Sequence, residues 1–173
     1  MATHRIPILG WSARPDDTGE CFFEPYDLLA TNDVWDRLVG RFGANNAAQP
    51  TVRHGIHGGF TVPKNYVASA TLVIVWTATL TSGDVVWDFE YRAVGGNDAE
   101  SLDQSGTQEA TSVTDTAPSA THERMEATID LTDDNFVADD EVEYFLARDG
   151  TDAADTMAGS ALLFQALFEY ADA

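Results

Sequence analysis

Residues 70–94 read ATLVIVWTATLTSGDVVWDFEYRAV, two apolar runs separated by four turn-forming residues. One face of the first run carries Leu72, Ile74, Trp76, Ala78 and Leu80, and in the second run Val85, Trp87, Phe89, Tyr91 and Ala93 alternate with Val86, Asp88, Glu90 and Arg92. The intervening TSGD supplies a glycine and hydrogen-bonding side chains suited to a tight loop. This pattern predicts a hairpin of two half-buried strands. Because such a pair cannot bury its apolar face alone, a second sheet must pack against it.

The rest of the chain continues this alternation in short segments. Inward positions in the later segments are Met125, Ala127, Ile129 and Leu131, then Val142, Tyr144 and Leu146, then Leu162, Phe164, Ala166, Phe168 and Tyr170. Residues 107–116, rich in threonine, suit a polar edge strand. The count of about eight short strands predicts an all-β fold, an antiparallel β-sandwich or jelly roll. Its predicted core contains Leu72, Ile74, Trp76, Trp87, Phe89, Ile129, Tyr144 and Phe164.

The first 60 residues differ from this pattern. Residues 6–11 are apolar but contain Pro7 and Gly10, which suits an edge strand or an arm lying on a neighbouring subunit. Thr31 or Asn32 can cap a short helix in which Trp35, Leu38, Val39 and Phe42 fall at helical spacing before Gly43. We expect one compact domain in which residues 1–60 form an N-terminal arm and docking segment and residues 61–173 form the sandwich.

The chain is strongly acidic, with 29 Asp and Glu against 9 Lys and Arg and a net charge of −20. Nucleic acid and anionic membrane are therefore excluded as expected partners, since both attract cationic surfaces. Residues 1–60 hold five arginines against seven acids, whereas residues 61–173 hold four basic groups against 22 acids. The excess of acid and the single lysine favour saline surroundings, as for proteins of halophilic or marine origin.

The chain shows no apolar run of about 18 residues and no signal-peptide pattern at its start, so we expect a soluble, unsecreted protein. Its single cysteine, Cys21, has no partner for an intrachain disulfide and is expected to be a small buried side chain.

Few residues suggest chemistry. Asp149, Asp152 and Asp155 offer oxygen ligands of the kind that Ca²⁺ takes, but they lack the spacing of an EF-hand loop, and a solvated loop is the favoured interpretation. His54 and His57 would lie on opposite faces of a strand. No catalytic motif is present, and we predict a non-enzymatic protein without metal or other cofactor.

Two further patterns have ordinary explanations. Asp88 and Glu90 share a strand face like a glycosidase pair, but two acids on a polar face are expected by chance in so acidic a chain. The four tryptophans, Trp11, Trp35, Trp76 and Trp87, suggest a sugar-stacking platform like that of carbohydrate-binding modules. Trp76 and Trp87 fall on faces assigned to the core, which leaves Trp11 and Trp35 for such a platform.

The segment from Leu72 to Tyr170 resembles small β-sandwich virion proteins of tailed phages. VIVWTATLTSGDVVWDFEYRAV, TSVTDTAP and RDGTDAADTMAGSALLFQALFEY carry this resemblance. It implies a jelly-roll structural protein, commonly trimeric, on the head or tail of the particle. It assigns no role to any individual residue.

The leading hypothesis is a capsid decoration (cement) protein, a homotrimer bound to the major capsid protein or another virion protein, made in the host cytoplasm and located in the virion. The alternative is a tail or baseplate adhesion module that binds host glycans. Docking and subunit contacts are expected from residues 1–60, with apolar residues buried mainly by a neighbouring chain. The predicted contact residues are Ile6, Ile8, Leu9, Trp11, Arg14, Arg37 and Arg41.

Stability should rise with salt concentration, because the 22 acidic and four basic groups of residues 61–173 repel one another. Between 0.15 M and 1 M salt the Debye length falls from about 8 Å to about 3 Å, which removes most of that repulsion. Unfolding midpoints measured across a series of NaCl concentrations should therefore climb. A flat or falling series would remove the electrostatic account.

Overall fold

The computed structural model describes residues 1–10, 13–17, 19, 21–26, 37–43, 49–96, 100–104 and 106–172. These residues form the strands β1 (Thr3–Pro7), β2 (Arg14–Pro15), β3 (Phe22–Tyr26), β4 (Arg37–Phe42), β5 (Arg53–Thr61), β6 (Ala68–Ala78), β7 (Asp84–Val94), β8 (Glu109–Thr116), β9 (Met125–Asp130), β10 (Glu141–Asp149) and β11 (Ala161–Ala171). One 3-10 turn, Asp133–Asn135, lies between β9 and β10.

The strands form two antiparallel sheets that pack face to face, which confirms the predicted β-sandwich. One sheet has the order β3-β4-β11-β6-β9, with β1 also paired to β11, and the other has the order β2-β5-β10-β7-β8. We call them the six-stranded and the five-stranded sheet. Strands of residues 1–60 lie in both sheets, and β5 ends at Thr61.

The predicted hairpin of residues 70–94 is wrong, because β6 and β7 belong to different sheets. Each strand has an apolar face, and crossing between sheets lets those faces pack on each other. The Trp76 and Trp87 rings meet at 5.9 Å between centroids and 71° between planes. The chain crosses at Gly83, whose φ of +93° favours glycine. A Cβ there would also lie 2.7 Å from the Met157 backbone.

Alternation correctly predicts most of the core. Leu72, Ile74, Trp76, Trp87, Phe89, Ile129 and Tyr144 are all at most 3% exposed. Phe164 is the exception, since it packs with two small clusters apart from the main core. A register shift between Leu163 and Gln165 in the pairing of β11 with β6 places Leu163 and Ala166, not Phe164, in the main core.

The predicted short helix is corrected at its C-terminal half. Residues 37–42 form β4, which pairs with β3 and with β11, while Thr31, Asn32 and Trp35 lie outside the described residues. Phe42 is buried in the main core and Val39 in a smaller cluster. Leu38 is 64% exposed, whereas the predicted helix grouped it with Val39 and Phe42 at helical spacing. No helix in the described ranges has the length and apolarity needed to cross a bilayer.

A fully buried ion pair on the five-stranded sheet also contacts the six-stranded sheet. The guanidinium of Arg148 on β10 is 0% exposed and donates to both carboxylate oxygens of Asp155, at 2.8 Å and 2.7 Å. It also donates to the carbonyl oxygens of Phe42, Met157 and Gly159. Five acceptor oxygens thus surround the Arg148 guanidinium. One of them, the carbonyl oxygen of Phe42 at 3.5 Å, belongs to the opposite sheet.

Arg148→Met should lower the free energy of unfolding by about 3–5 kcal/mol, because it leaves the Asp155 carboxylate buried without its counter-ion. Arg124, whose side chain is 62% exposed beside Glu126, provides the matched control. Arg124→Met should cost less than about 1 kcal/mol. Urea unfolding of both variants checks this, and equal small losses would contradict a structural role for the buried pair.

Candidate functional site

Three adjoining depressions lie on the outer face of the five-stranded sheet. Their volumes are about 750, 440 and 190 Å³. His57 lines the first and second, and Glu90 lines the first and third, so they join into one concave surface. We call this surface the outer-face groove. Concave surfaces that combine an aromatic side chain with a few polar groups are the usual form of a ligand site.

A single line of side chains crosses the groove from one sheet edge to the other. The pairing register sets Arg14 opposite His57, His57 opposite Phe145, Phe145 opposite Glu90, and Glu90 opposite Ala110. We call these five residues the transverse row. Residues directly opposite on one sheet face have Cβ atoms about 4.5–5.5 Å apart. The row is therefore continuous over all five strands.

Phe145 is the apolar centre of the transverse row. Its ring lies against the backbone of Gly55, where a Cβ would overlap it. The His57 ring approaches at 4.7 Å between centroids with a 34° tilt, and the Arg53 guanidinium lies 5.0 Å from the ring centroid. Arg53, Gly55 and His57 follow one another on the same face of β5, and the Phe145 ring lies over Gly55. The Arg53 guanidinium, the Phe145 ring and the His57 ring therefore line up along the groove.

Ion pairs hold the polar groups around Phe145. Arg53 forms an ion pair with Asp88 at 3.0 Å and donates a hydrogen bond to Glu90 at 2.6 Å. Arg92 bonds Glu143 at 2.5 Å on the opposite side of the row. His57 Nε2 lies 3.0 Å from a carboxylate oxygen of Asp16. The side chains that border the aromatic centre therefore contact one another in the absence of a ligand.

Burial raises the pKa of Asp88 from its ordinary value of 3.8 to about 6. The nearby Arg53 lowers the pKa, while the carboxylates of Asp149, Glu90 and Asp152 raise it further. The Asp88 side chain is 19% exposed, which is consistent with desolvation as the main cause.

Asp149, Asp152 and Asp155, the candidate Ca²⁺ ligands, each accept hydrogen bonds from other residues. Asp155 is buried against Arg148, Asp149 accepts hydrogen bonds from Thr151, and Asp152 accepts one from the backbone N–H of Ala154. In the part of the chain that the structure describes, no group of three or more His, Cys, Asp or Glu side chains is arranged to hold a metal ion.

The remaining candidates are dispersed. His54 pairs in register with the buried Arg148, whereas His57 points into the groove. Trp76 and Trp87 are 0% exposed, and Trp11 and Trp35 lie outside the described residues. Cys21 is 0% exposed, and burial raises the pKa of its thiol.

The predicted docking residues fall in several places. Ile8 is 2% exposed in the main core, so the expectation that a neighbouring chain mainly buries it is wrong. Ile6 and Leu9 also pack against that core. On the six-stranded sheet, Arg37 lies over the Phe164 ring and Arg41 bonds Glu24 at 2.9 Å. Trp11 is outside the described residues, and Arg14 is exposed at the end of the transverse row.

Sequence reasoning missed Phe145 as a site residue. In EVEYFLARD the inward positions are Val142, Tyr144 and Leu146, so Phe145 is an aromatic residue on the polar side of the pattern. An apolar ring at a position expected to face water was the available signal. The glycines of HGIHGG on β5 were a second signal, because they leave room beside that ring.

Comparisons with known proteins show the fold. No protein-family model and no curated protein sequence matches this chain. The family 35 carbohydrate-binding module from Clostridium thermocellum matches with a TM-score of 0.52 at 12% identity, over 97% of this chain and 98% of that one. The CBM35 module from Paenibacillus barcinonensis gives 0.50 at 11% identity, over 99% and 100%.

An arabinose-bound α-L-arabinofuranosidase gives a TM-score of 0.49 at 12% identity, and the match covers 95% of this chain but 24% of that chain. At 11–12% identity, the two carbohydrate-binding modules show a likeness of fold alone. The comparisons thus support the β-sandwich part of the resemblance to phage virion proteins, and no family model links the chain to those proteins.

The stability contributed by Asp88 should fall as pH rises. Between its ordinary pKa of 3.8 and its folded-state pKa of about 6, the folded protein keeps a proton that the unfolded chain has released. The free energy of unfolding therefore decreases across this range on account of Asp88. The free energy of unfolding of Asp88→Asn, minus that of the native chain, should therefore be larger at pH 7 than at pH 4.5. Urea unfolding at both pH values checks this, and a difference independent of pH would contradict it.

Proposed function

We propose that this protein is a non-catalytic glycan-binding module that holds a glycan segment in the outer-face groove. The transverse row is the observation that carries the proposal, because it sets a half-buried aromatic ring among fixed polar groups across a whole sheet face. A sugar presents apolar C–H faces and a rim of hydroxyl groups. A ring with hydrogen-bonding neighbours complements both features.

The polar groups of the groove suit hydroxyl recognition. Arg53, Arg92 and His57 can donate hydrogen bonds, and Asp16, Glu90 and Glu143 can accept them. The ion pairs of the arginines and the contact between His57 and Asp16 limit the entropy lost on binding, since these side chains already have partners. The missing side chain at Gly55 leaves space that the Phe145 ring itself occupies, so the ring lies directly against the β5 backbone.

Asp88 and Glu90 do not form a glycosidase pair in this arrangement. Both carboxylates bond the same guanidinium, that of Arg53. Glycosidases place two carboxyl groups on either side of the scissile bond, one acting as acid and the other as base or nucleophile. Binding without hydrolysis therefore fits the site better.

On a phage particle, a module of this kind would act at the tail or baseplate and bind host glycans. The resemblance of the segment from Leu72 to Tyr170 to virion sandwich proteins supports a place on the particle, at its head or its tail. A second candidate is a capsid decoration protein, a homotrimer docked on the major capsid protein. What supports it is the position of Arg14 and Arg37, which are exposed and belong to the less acidic residues 1–60. Cryo-electron microscopy of the assembled particle distinguishes tail from head.

Phe145→Ala should weaken glycan binding at least about tenfold, because it removes the apolar centre of the groove. Phe22→Ala is a matched control, since Phe22 lies under the Arg41 guanidinium at 5.4 Å on the six-stranded sheet. Binding is measured on an array of glucose, mannose, galactose and N-acetylglucosamine hexasaccharides, each in neutral, carboxylated and sulfated form. No binding to any series, or equal binding by the native chain and the Phe145 variant, would refute the proposal.

A further inference from the structure

Arg14 ends the transverse row and differs from the other basic residues of the chain. Among the described residues, Arg5, Arg41, Arg53, Lys64, Arg92, Arg124 and Arg148 each pair with a carboxylate within 4 Å. Arg37 donates to a backbone carbonyl and lies over an aromatic ring. Arg14 is exposed and has no ion pair in the part of the chain that the structure describes, although the chain holds 29 acids.

The carboxylates that line the same depression as Arg14, and the carboxylate of Asp16, contact other residues. Arg14 lines the depression of about 440 Å³ together with His57, Glu141 and Glu143. Glu143 bonds Arg92 at 2.5 Å, and Glu141 accepts a hydrogen bond from Thr61 at 2.9 Å. Asp16, two residues beyond Arg14, bonds His57. Within the described residues, the guanidinium is therefore a cation without a carboxylate partner at one end of the groove.

We propose that Arg14 is an anion subsite, which recognises a carboxylate or sulfate group on the glycan whose chain lies over Phe145. This inference rests on the proposed glycan-binding function and names its ligand class, an acidic glycan. A guanidinium donates two parallel hydrogen bonds to a planar or tetrahedral oxyanion, which a neutral hydroxyl cannot match. Two strand spacings, roughly 10 Å, separate Arg14 from Phe145 along the row. A negatively charged substituent can therefore reach Arg14 from a sugar near the ring.

The net charge of −20 opposes an anionic ligand at long range but does not cancel a direct contact. At 0.15 M salt, charges more than about 8 Å apart are largely screened, whereas a guanidinium–oxyanion pair at hydrogen-bond distance is screened less. The long-range repulsion falls further at higher salt, so the test is made in saline buffer.

The test compares the native chain with Arg14→Gln on the same hexasaccharide array at 0.5 M NaCl. The native chain should bind at least one carboxylated or sulfated series about tenfold more tightly than its neutral counterpart. Arg14→Gln should reduce that preference, the ratio of affinities for the acidic and the neutral form, to about twofold or less. Arg124→Gln, an exposed arginine beside the six-stranded sheet, should keep the full preference. Preference for carboxylate alone or for sulfate alone identifies which source of negative charge the subsite takes.

The outcomes separate this inference from the proposed function. Equal binding of neutral and acidic forms by the native chain, or a preference that survives in Arg14→Gln, would overturn the anion subsite while leaving glycan binding intact. Phe145→Ala should weaken binding to neutral and acidic forms alike, and its failure to do so would overturn the glycan-binding proposal itself. Because Arg14 is exposed and has no ion pair in the described residues, Arg14→Gln should unfold at the native urea midpoint.

Discussion

The alternation of side chains between the two faces of the five-stranded sheet is the constraint on which both core and groove depend. On β10, Val142, Tyr144 and Leu146 enter the core, while Glu143 and Phe145 face the groove. A shift of one residue in pairing would exchange these two sets. The packing energy of the inner face therefore fixes the register, and the register in turn aligns the transverse row. The ligand site is a consequence of how the core packs.

The buried Arg148–Asp155 pair connects this arrangement to the edge of the groove. Arg148 follows Phe145 by three positions on β10, and its guanidinium holds the segment of residues 155–159 through one carboxylate and two carbonyls. Thr151, which lines the groove, precedes that segment. The Phe42 carbonyl adds a contact to the six-stranded sheet. The Arg148 guanidinium thus positions the loop of residues 155–159, near the groove, relative to both sheets. A purely apolar contact has no preferred direction and would not orient the loop in this way.

Alternation in the sequence predicted which residues are buried better than which strands pair. Alternation identified Trp76 and Trp87 as core residues. It does not specify that β6 and β7 lie in different sheets, and only the packing of the two tryptophans on each other reveals this. The register shift in β11 inverted the face of Phe164 because one extra residue changes parity. Leu38, Val39 and Phe42 fit a helix and a strand equally well at such short length. Phe145 and His57 were visible in the sequence, but their adjacency required the register.

The most direct test of the account is to map a bound glycan onto the molecule by nuclear magnetic resonance. The probe is the hexasaccharide that the array identifies, titrated into the ¹⁵N-labelled full chain. If the outer-face groove is the binding site, the largest amide shifts occur at Gly55, His57, Phe145 and Glu90. Largest shifts on the outer face of the six-stranded sheet, around Arg37 and Phe164, with the groove amides unmoved, would contradict it.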